Sequence, residues 1–253
     1  MSAVGGVASG PRAEDGSRRR RLALVTGASG GIGGAVSRAL AASGWEVALA
    51  ARRAEPLGAL AREIAARGGR ALALPTDLTR EDEVERLVRA VDEAWGRLDL
   101  LVHAAGYGRF SPLAETSLAE WERTLAANLT AVFLLSRASL GLLARGHEPQ
   151  IMALISVAAR RDFAGNAAYG AAKAGLLGLV GVMREELRPR GIRVTALIPG
   201  ATDTPFWDRA GGHWDRSRMM RPETVARLVV AAAAVPAEAA VEEITIRPAG
   251  GDL

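Results

Sequence analysis

The feature that most constrains this chain is an alternation: seven short apolar runs separated by amphipathic stretches of helical length. The runs are Leu22 to Thr26, Glu46 to Ala51, Arg70 to Leu74, Leu98 to Ala104, Ile151 to Ser156, Arg193 to Ile198 and Glu243 to Arg247. The stretches between them lie near 32–43, 55–67, 80–95, 117–144, 168–188 and 222–234. Such alternation is the pattern of repeated βα units around a parallel sheet. Gly44, Gly68, Gly96 and Gly191 fall just past helix ends, where a left-handed cap favours glycine. With 253 residues and 49% hydrophobic content the chain can fill one core, so residues 22 to 253 are expected to form a single domain.

The first strand runs into Thr26-Gly27-Ala28-Ser29-Gly30-Gly31-Ile32-Gly33 before the first helix begins. Glycines at such a junction let the backbone approach a pyrophosphate, and the helix N-terminus offers free N–H groups and partial positive charge. With right-handed crossovers, this predicts an α/β, doubly wound (Rossmann-type) fold: a seven-stranded parallel sheet with helices on both faces. The turn lacks the lysine of a P-loop, so a dinucleotide is the expected ligand. The second strand ends at Ala51-Arg52-Arg53, where an acid would suit a ribose 2′-hydroxyl and arginine suits a 2′-phosphate. NADP(H) is therefore favoured over NAD(H). The preference is tempered because the two arginines can also cap the strand in solvent, and because Gly30 stands where a second basic residue could help. Asp77, followed by Leu78 after the third strand, can accept from an adenine amino group or cap the next helix.

Tyr169 and Lys173 stand four residues apart, and Lys173 is the single lysine among 32 basic residues. If Tyr169 opens a helix, the ammonium lies one turn along on the same face. A phenol has a pKa of about 10, and a nearby cation lowers it toward the range in which it exchanges a proton with an alcohol or carbonyl oxygen. Ser156 would sit at the carboxyl end of its strand, where parallel sheets bind ligands. Taken alone, a Tyr-x-x-x-Lys pair is also what chance places on many helices, and its meaning depends on these surroundings.

Other classes are disfavoured. Cysteine is absent, and His103, His147 and His213 are not at metal-ligand spacing, so no metal is expected. Of the formal charge of +4, most comes from Met1 to Arg21, which holds five arginines against Glu14 and Asp15. That leader reads as a disordered basic tail. Arg18 to Arg21 have no apolar signal core behind them, so neither an export signal nor nucleic-acid binding is expected. No stretch is expected to reach the ~18 apolar residues of a membrane span. A cytoplasmic location fits.

With these pieces together the chain resembles the short-chain dehydrogenase/reductase family in its compact single-domain form, from about Leu22 to Arg247. The resemblance rests on the Thr-Gly-x-x-x-Gly-x-Gly turn, Asp77-Leu78, Leu98-Asp99-Leu100-Leu101-Val102 leading into Ala105-Gly106, Asn128 in Asn-Leu-Thr, Ser156, Tyr169-x-x-x-Lys173 and Pro199-Gly200. It implies that Tyr169 is the general acid/base, that Lys173 lowers its pKa and holds the nicotinamide ribose, and that Ser156 steadies the substrate oxygen. Asn128 would hold a proton-relay water, and Thr204 would touch the nicotinamide carboxamide. One departure is His103-Ala104-Ala105-Gly106, where the family often has Asn-Asn-Ala-Gly; His103 is expected to pack at the strand end.

The function expected is NADP(H)-dependent hydride transfer between nicotinamide and a carbonyl or secondary-alcohol carbon of a small molecule. The alternatives are epimerisation or dehydration on the same fold, and a catalytically silent nucleotide sensor or scaffold. Pro205 to Arg221, with Phe206, Trp207, Trp214, Met219 and Met220 beside Arg209, Arg216, Arg218 and Arg221, is expected to cover the pocket as a lid or else to pack on the body. Ala171, Ala174, Gly178 and Gly181 make a small-residue seam, and members of the family pair through this helix and the preceding one, so a homodimer or homotetramer is expected.

Overall fold

The computed structural model describes residues 20–251; most of the expected basic tail lies outside the described residues. Seven strands form one sheet: β1 (Arg21–Thr26), β2 (Trp45–Ala51), β3 (Arg70–Pro75), β4 (Leu100–His103), β5 (Gln150–Leu154), β6 (Arg193–Pro199) and β7 (Glu243–Ile246). Their order is β3-β2-β1-β4-β5-β6-β7, and every pairing is parallel. The order reverses between β1 and β4, which opens a crevice at the carboxyl ends of those strands.

The helices are α1 (Gly31–Ala42), α2 (Ala54–Ala66), α3 (Glu81–Trp95), α4 (Leu118–Leu125), α5 (Ala131–Ala144), α6 (Ala167–Leu187), the short α7 (Trp207–Ala210) and α8 (Pro222–Ala233). Side chains alternate across the sheet, so each strand feeds two cores. Ala23, Val25, Val47 and Leu49 pack with α1, α2 and α8, through Val36, Leu40, Leu57 and Val229. Leu24, Ala48, Leu101 and Ile151 pack on the opposite face with α3, α5 and α6, through Leu87, Leu135 and Leu176. The four expected cap glycines all have positive φ, between 70° and 85°. Asp99, buried between the two halves of the sheet, accepts from Leu22 N at 2.8 Å and His147 N at 2.7 Å.

The expected helix at 117–144 needs two corrections. A π-helical turn at Ala126–Thr130 joins α4 to α5 and carries Asn128. And Leu118–Ala144, whose most apolar 18-residue window has a mean hydropathy of 1.5, is long and apolar enough to cross a membrane by length and composition, contrary to expectation. In this fold its Leu135, Leu142 and Leu143 are buried against the sheet.

Candidate active site

A cleft of about 910 Å³ runs along the carboxyl edge of the sheet. At one end lies the glycine turn. A Cβ on Gly27 would sit 2.7 Å from the Ala104 carbonyl oxygen, and one on Gly33 only 2.5 Å from that of Gly27, so the strand, turn and helix approach as closely as they do only with hydrogen at both places. Thr26 ties the turn to the neighbouring strand's exit: its Oγ1 accepts from the backbone N–H groups of Ala104 and Ala105, both at 3.0 Å. Gly30 faces open space, while Gly31 abuts Thr204, which would lie 3.3 Å from a Cβ there. Two segments 173 residues apart in sequence, 204 − 31, thus meet at the turn.

Arg52 and Arg53 are exposed on the rim of the same end. Among the described residues neither is ion-paired within salt-bridge distance, whereas Arg38, Arg80, Arg145 and Arg160 all are. Asp77 lines the cleft beside them, and its Oδ1 accepts from Thr79 N at 3.0 Å and Thr79 Oγ1 at 2.7 Å. Its partial burial pushes the carboxyl pKa up, but the Thr79 bonds and the nearby Arg52 and Arg80 outweigh that and hold it below the usual range. These bonds close a turn ahead of α3, whose N-cap is Arg80 with no side-chain cap bond, so Asp77 does not cap the helix. Leu78 is buried behind it in the core.

The other end gathers the chemistry. Ser156 lies two residues past β5; its Oγ accepts from Ala158 N at 3.1 Å and shares a hydrogen bond with the Tyr169 hydroxyl. Lys173 is buried, donates from Nζ to the Leu154 carbonyl at 2.9 Å, and stands 5.6 Å from the centroid of the Tyr169 ring. All three line the cleft, as do Ser29, Ile32, Ala105, Gly106, Pro199 and Gly200. Gly33 and Asn128 do not: the first is a packing contact, and the second lies behind the wall. Asn128 is fully buried and donates to the carbonyls of Tyr107 at 2.6 Å and Thr124 at 2.9 Å, while its Oδ1 accepts from Tyr107 N at 3.3 Å. That oxygen would be 3.1 Å from a Cβ on Gly106, and Lys173 Nζ 4.0 Å from it, so Asn128 and Lys173 meet across Gly106.

The direction expected for Tyr169 is reversed. Burial pushes the phenol up to about 12, offset only in part by the Ser156 hydrogen bond, and burial brings Lys173 down to about 7. The reason is packing that the sequence does not announce. Phe206 lies 5.5 Å and Phe110 5.8 Å from the Tyr169 ring, centroid to centroid, and the ammonium is committed to a backbone carbonyl. His103 packs as expected: its buried ring meets Ser136 Oγ at 2.9 Å, and burial together with Lys173 lowers it to about 3, so it is neutral.

The aromatic wall is the part sequence reasoning largely missed. Phe110, Tyr169, Phe206, Trp207 and Trp214 form one cluster, with Trp207 and Trp214 4.8 Å apart. Tyr107 and Phe163 line the cleft as well, and of the chain's aromatic side chains only Trp45, Trp95, Trp121 and Phe133 lie elsewhere. Gly108 makes room for the cluster, since a Cβ there would be 2.6 Å from the Phe206 ring. The expected lid is correspondingly smaller. Met219 is buried, and Met220 is tied to the body by hydrogen bonds with Ala201 and Asp203, so neither lines the cleft. Arg216 is held by Asp203 and Asp208, and of the four loop arginines only Arg209 lines the cleft.

A family model described as short chain dehydrogenase matches residues 21–213. The chain is 35% identical over 237 residues to a 3-oxoacyl-(acyl-carrier-protein) reductase of Synechocystis sp., covering 91% of this chain and 96% of that protein. It is 38% identical over 238 residues to a glycine betaine reductase of Emericella nidulans, a match that spans 90% of this chain but 19% of the relative's length. Among solved structures, an alcohol dehydrogenase of the archaeon Thermococcus sibiricus, complexed with 5-hydroxy-NADP, is similar with a TM-score of 0.85 at 30% identity, covering 91% of this chain and 97% of that one.

Proposed function

The chain belongs to the short-chain dehydrogenase family, and from that premise we propose that it is an NADP(H)-dependent oxidoreductase acting between a carbonyl and a secondary alcohol on a small molecule. One observation carries the reading: the hydrogen-bonded Ser156 and Tyr169, with Lys173 beneath them, share a cleft with a glycine turn whose rim bears two arginines outside the salt bridges of the described residues. We read residues 22 to 253 as one catalytic domain working in the cytoplasm, a location that suits a cysteine-free chain.

The residues fit a dinucleotide. The backbone of Ser29 to Ile32 is free to meet a pyrophosphate at the start of α1, and Gly30 has space in front of it. Arg52 and Arg53 suit a 2′-phosphate, and the Thermococcus sibiricus relative was solved with 5-hydroxy-NADP. NADP(H), when bound, supplies the hydride chemistry. The chain's own residues do the rest. Tyr169, held as a neutral phenol, carries the proton that a substrate oxygen takes up in reduction and receives it in oxidation. Ser156 orients that oxygen. Lys173 is fixed by the Leu154 carbonyl beside the Tyr169 ring, and an ammonium there favours the phenolate that proton transfer leaves behind. Asn128 acts by positioning, holding the Gly106–Tyr107 backbone against Lys173. Phe110, Phe206, Trp207 and Trp214 exclude water from the reacting end.

The test is NADPH consumption across a panel of carbonyl compounds, repeated with Tyr169→Phe. Turnover should fall about 10³-fold or more while NADPH affinity holds. A variant with near-normal rates would remove Tyr169 from the proton-transfer role.

We infer as well that the chain pairs as a homodimer or homotetramer through α5 and α6. Ala171, Ala174 and Gly178 form an exposed small-residue seam on α6, beside Val182 at 54% exposure, with Phe133 of α5 at 44%. Within one copy only 39% of the apolar window in Leu118–Ala144 is buried, which leaves the remainder for a second copy. Light scattering should give a multiple of the monomer mass; a monomer at micromolar concentration would overturn the pairing.

A further inference from the structure

Arg123 lies on the side of α4 that faces the cleft. Ala126 and Ala127, three and four residues further along, share that side, and all three line the cleft together with Ala131 at the start of α5. The other three being alanine, Arg123 is the one long side chain on this wall. It is exposed, and its guanidinium carbon stands 4.4 Å from the centroid of the Tyr107 ring, which lines the cleft as well. That ring is held at both ends: Asn128 bonds the Tyr107 N–H and carbonyl, and the Tyr107 hydroxyl donates to Glu120 at 3.1 Å. Tyr107 is thus a fixed platform with a cation laid on it.

No acid of the described residues answers that charge at salt-bridge distance. Glu120, one helical turn before Arg123, spends its carboxylate on the Tyr107 hydroxyl and on Thr124 Oγ1 at 3.2 Å. Of the described side chains that line the cleft, Asp77 is the only acid, and it lies at the nucleotide end. Arg209, just after Phe206 and Trp207, adds positive charge to the lining, and a cleft of one sign draws in the opposite charge. The neighbours of Tyr107 set the platform beside the reacting groups. A Cβ on Gly106 would lie 4.0 Å from Lys173 Nζ, and one on Gly108 would lie 3.0 Å from the Tyr169 ring and 2.6 Å from the Phe206 ring. The phosphates of a dinucleotide have the glycine turn, Arg52 and Arg53 to meet them, so the anion that Arg123 suits belongs to the other ligand.

We propose that Arg123 is a specificity-determining residue that binds a carboxylate on the substrate, set apart from the reacting carbon, which makes the substrate a keto acid with a flat apolar body, or the corresponding hydroxy acid. The inference rests on the oxidoreductase reading and adds to it the class of substrate. Tyr169 and Ser156 address the oxygen that changes oxidation state, the aromatic wall takes the body, and Arg123 anchors the charged end. A guanidinium suits this place better than an ammonium would. Stacking on a ring uses its face, while its N–H groups lie in the plane and stay free to meet both oxygens of a carboxylate.

The experiment reads binding by calorimetry, so that it does not depend on turnover. Phenyl ketones whose carbonyl is joined to a carboxylate through two, three or four methylene groups are each compared with their primary amide, which keeps the shape and removes the charge, in protein saturated with NADP⁺. In at least one pair the acid should bind about tenfold or more tightly than its amide, on the order of one charge-assisted hydrogen bond, and added salt should narrow the gap. Arg123→Met, which keeps the stem and removes the charge, should bring that ratio to within about twofold, and Arg123→Lys, which keeps the charge without the fork, should retain part of it. The affinity for NADP⁺, measured alone, should change less than about twofold in Arg123→Met. If none of the compounds binds, if all three pairs bind alike in the wild type, if Arg123→Met leaves the ratio intact, or if it weakens NADP⁺ as much as it weakens the acid, the proposal is overturned. Turnover of NADPH is a separate readout: preference for the acids in binding without turnover of any ketone would count against the oxidoreductase reading and leave the role of Arg123 standing, whereas turnover of neutral ketones with no preference for the acids would do the reverse.

Discussion

At the nucleotide end of the cleft the backbone does the shaping, whereas at the substrate end side chains do. Gly27, Gly33 and the Thr26 hydroxyl bring β1, α1 and the exit of β4 within contact of each other, and the arginines on the rim are left outside the ion pairs of the described residues. At the other end Phe110, Phe206, Trp207 and Trp214 pack edge-on or tilted against one another and against Tyr169, and the ionisable groups there are desolvated. The first arrangement suits a ligand whose charged, constant parts are to be met by N–H groups and arginines. The second suits a ligand read by shape, with few polar contacts. The difference also separates what each end can lose: the nucleotide end should be sensitive to a single added methyl or a removed charge, and the substrate end should tolerate change in the fold while altering selectivity.

The largest effect expected from this contrast is at the rim. Removing both guanidinium groups in an Arg52→Ala, Arg53→Ala double variant should raise the KM for NADPH about 100-fold, on the order of two charge-assisted hydrogen bonds, and leave that for NADH nearly unchanged. Steady-state kinetics with the two cofactors would check it. Equal losses for both would mean the arginines serve the fold or the general field and not a 2′-phosphate, and the two ends would then differ less in how they meet their ligands.

A smaller effect, on stability, compares the ends directly. In Gly33→Ala the new methyl would meet the Gly27 carbonyl oxygen at 2.5 Å, a backbone atom that cannot swing aside. Overpacking of this kind costs about 2 kcal/mol, which at this chain length lowers Tm by about 4–8 °C. Trp214→Ala, which removes a far larger but half-exposed side chain from the other end, should move Tm less and raise substrate KM more. Thermal unfolding of the two variants side by side would blunt the comparison if Trp214→Ala proved the more destabilised.

These two ends are not equally legible in the sequence, and the reason is range. The turn at 26–33, the strand edge at 52–53 and the pair at 169 and 173 are local: each chemical demand falls on residues a few positions apart, so spacing alone exposes it. The same holds for the strands and for the glycines that close α2, α3 and the segment after α6, where a left-handed φ asks for that residue. The aromatic wall is assembled from segments around 107–110, 163–169 and 206–214, and no local pattern ties them together. Met219 and Met220 look in sequence like further parts of that wall; only the bridge between Thr202 and Met220 shows that they belong to the body. The π-turn at Asn128 leaves a faint trace, an amide set in a run of apolar helix formers, but its consequence, a clamp on Tyr107, depends on a loop 21 residues away.

The smallest effect is also the one in which sequence and structure disagree on sign. Lys173 four residues after Tyr169 suggests a lowered phenol pKa, but burial by Phe110 and Phe206 disfavours the phenolate and carries it to about 12. Because the folded value lies above the unfolded one of about 10, this group's contribution to stability is fully present below pH 10 and is lost as pH rises through 12. The chain has two tyrosines, and burial raises Tyr107 as well, helped by its hydrogen bond to Glu120. Phenolate absorbance near 295 nm should therefore stay flat from pH 6 to 10 and rise only above it. Phe206→Ala, which uncovers the Tyr169 ring without touching its hydrogen bond to Ser156, should shift the onset modestly downward. An onset near neutral pH in the wild type would mean that the ammonium outweighs the aromatic wall, and the substrate end would then be governed by charge, as the nucleotide end is.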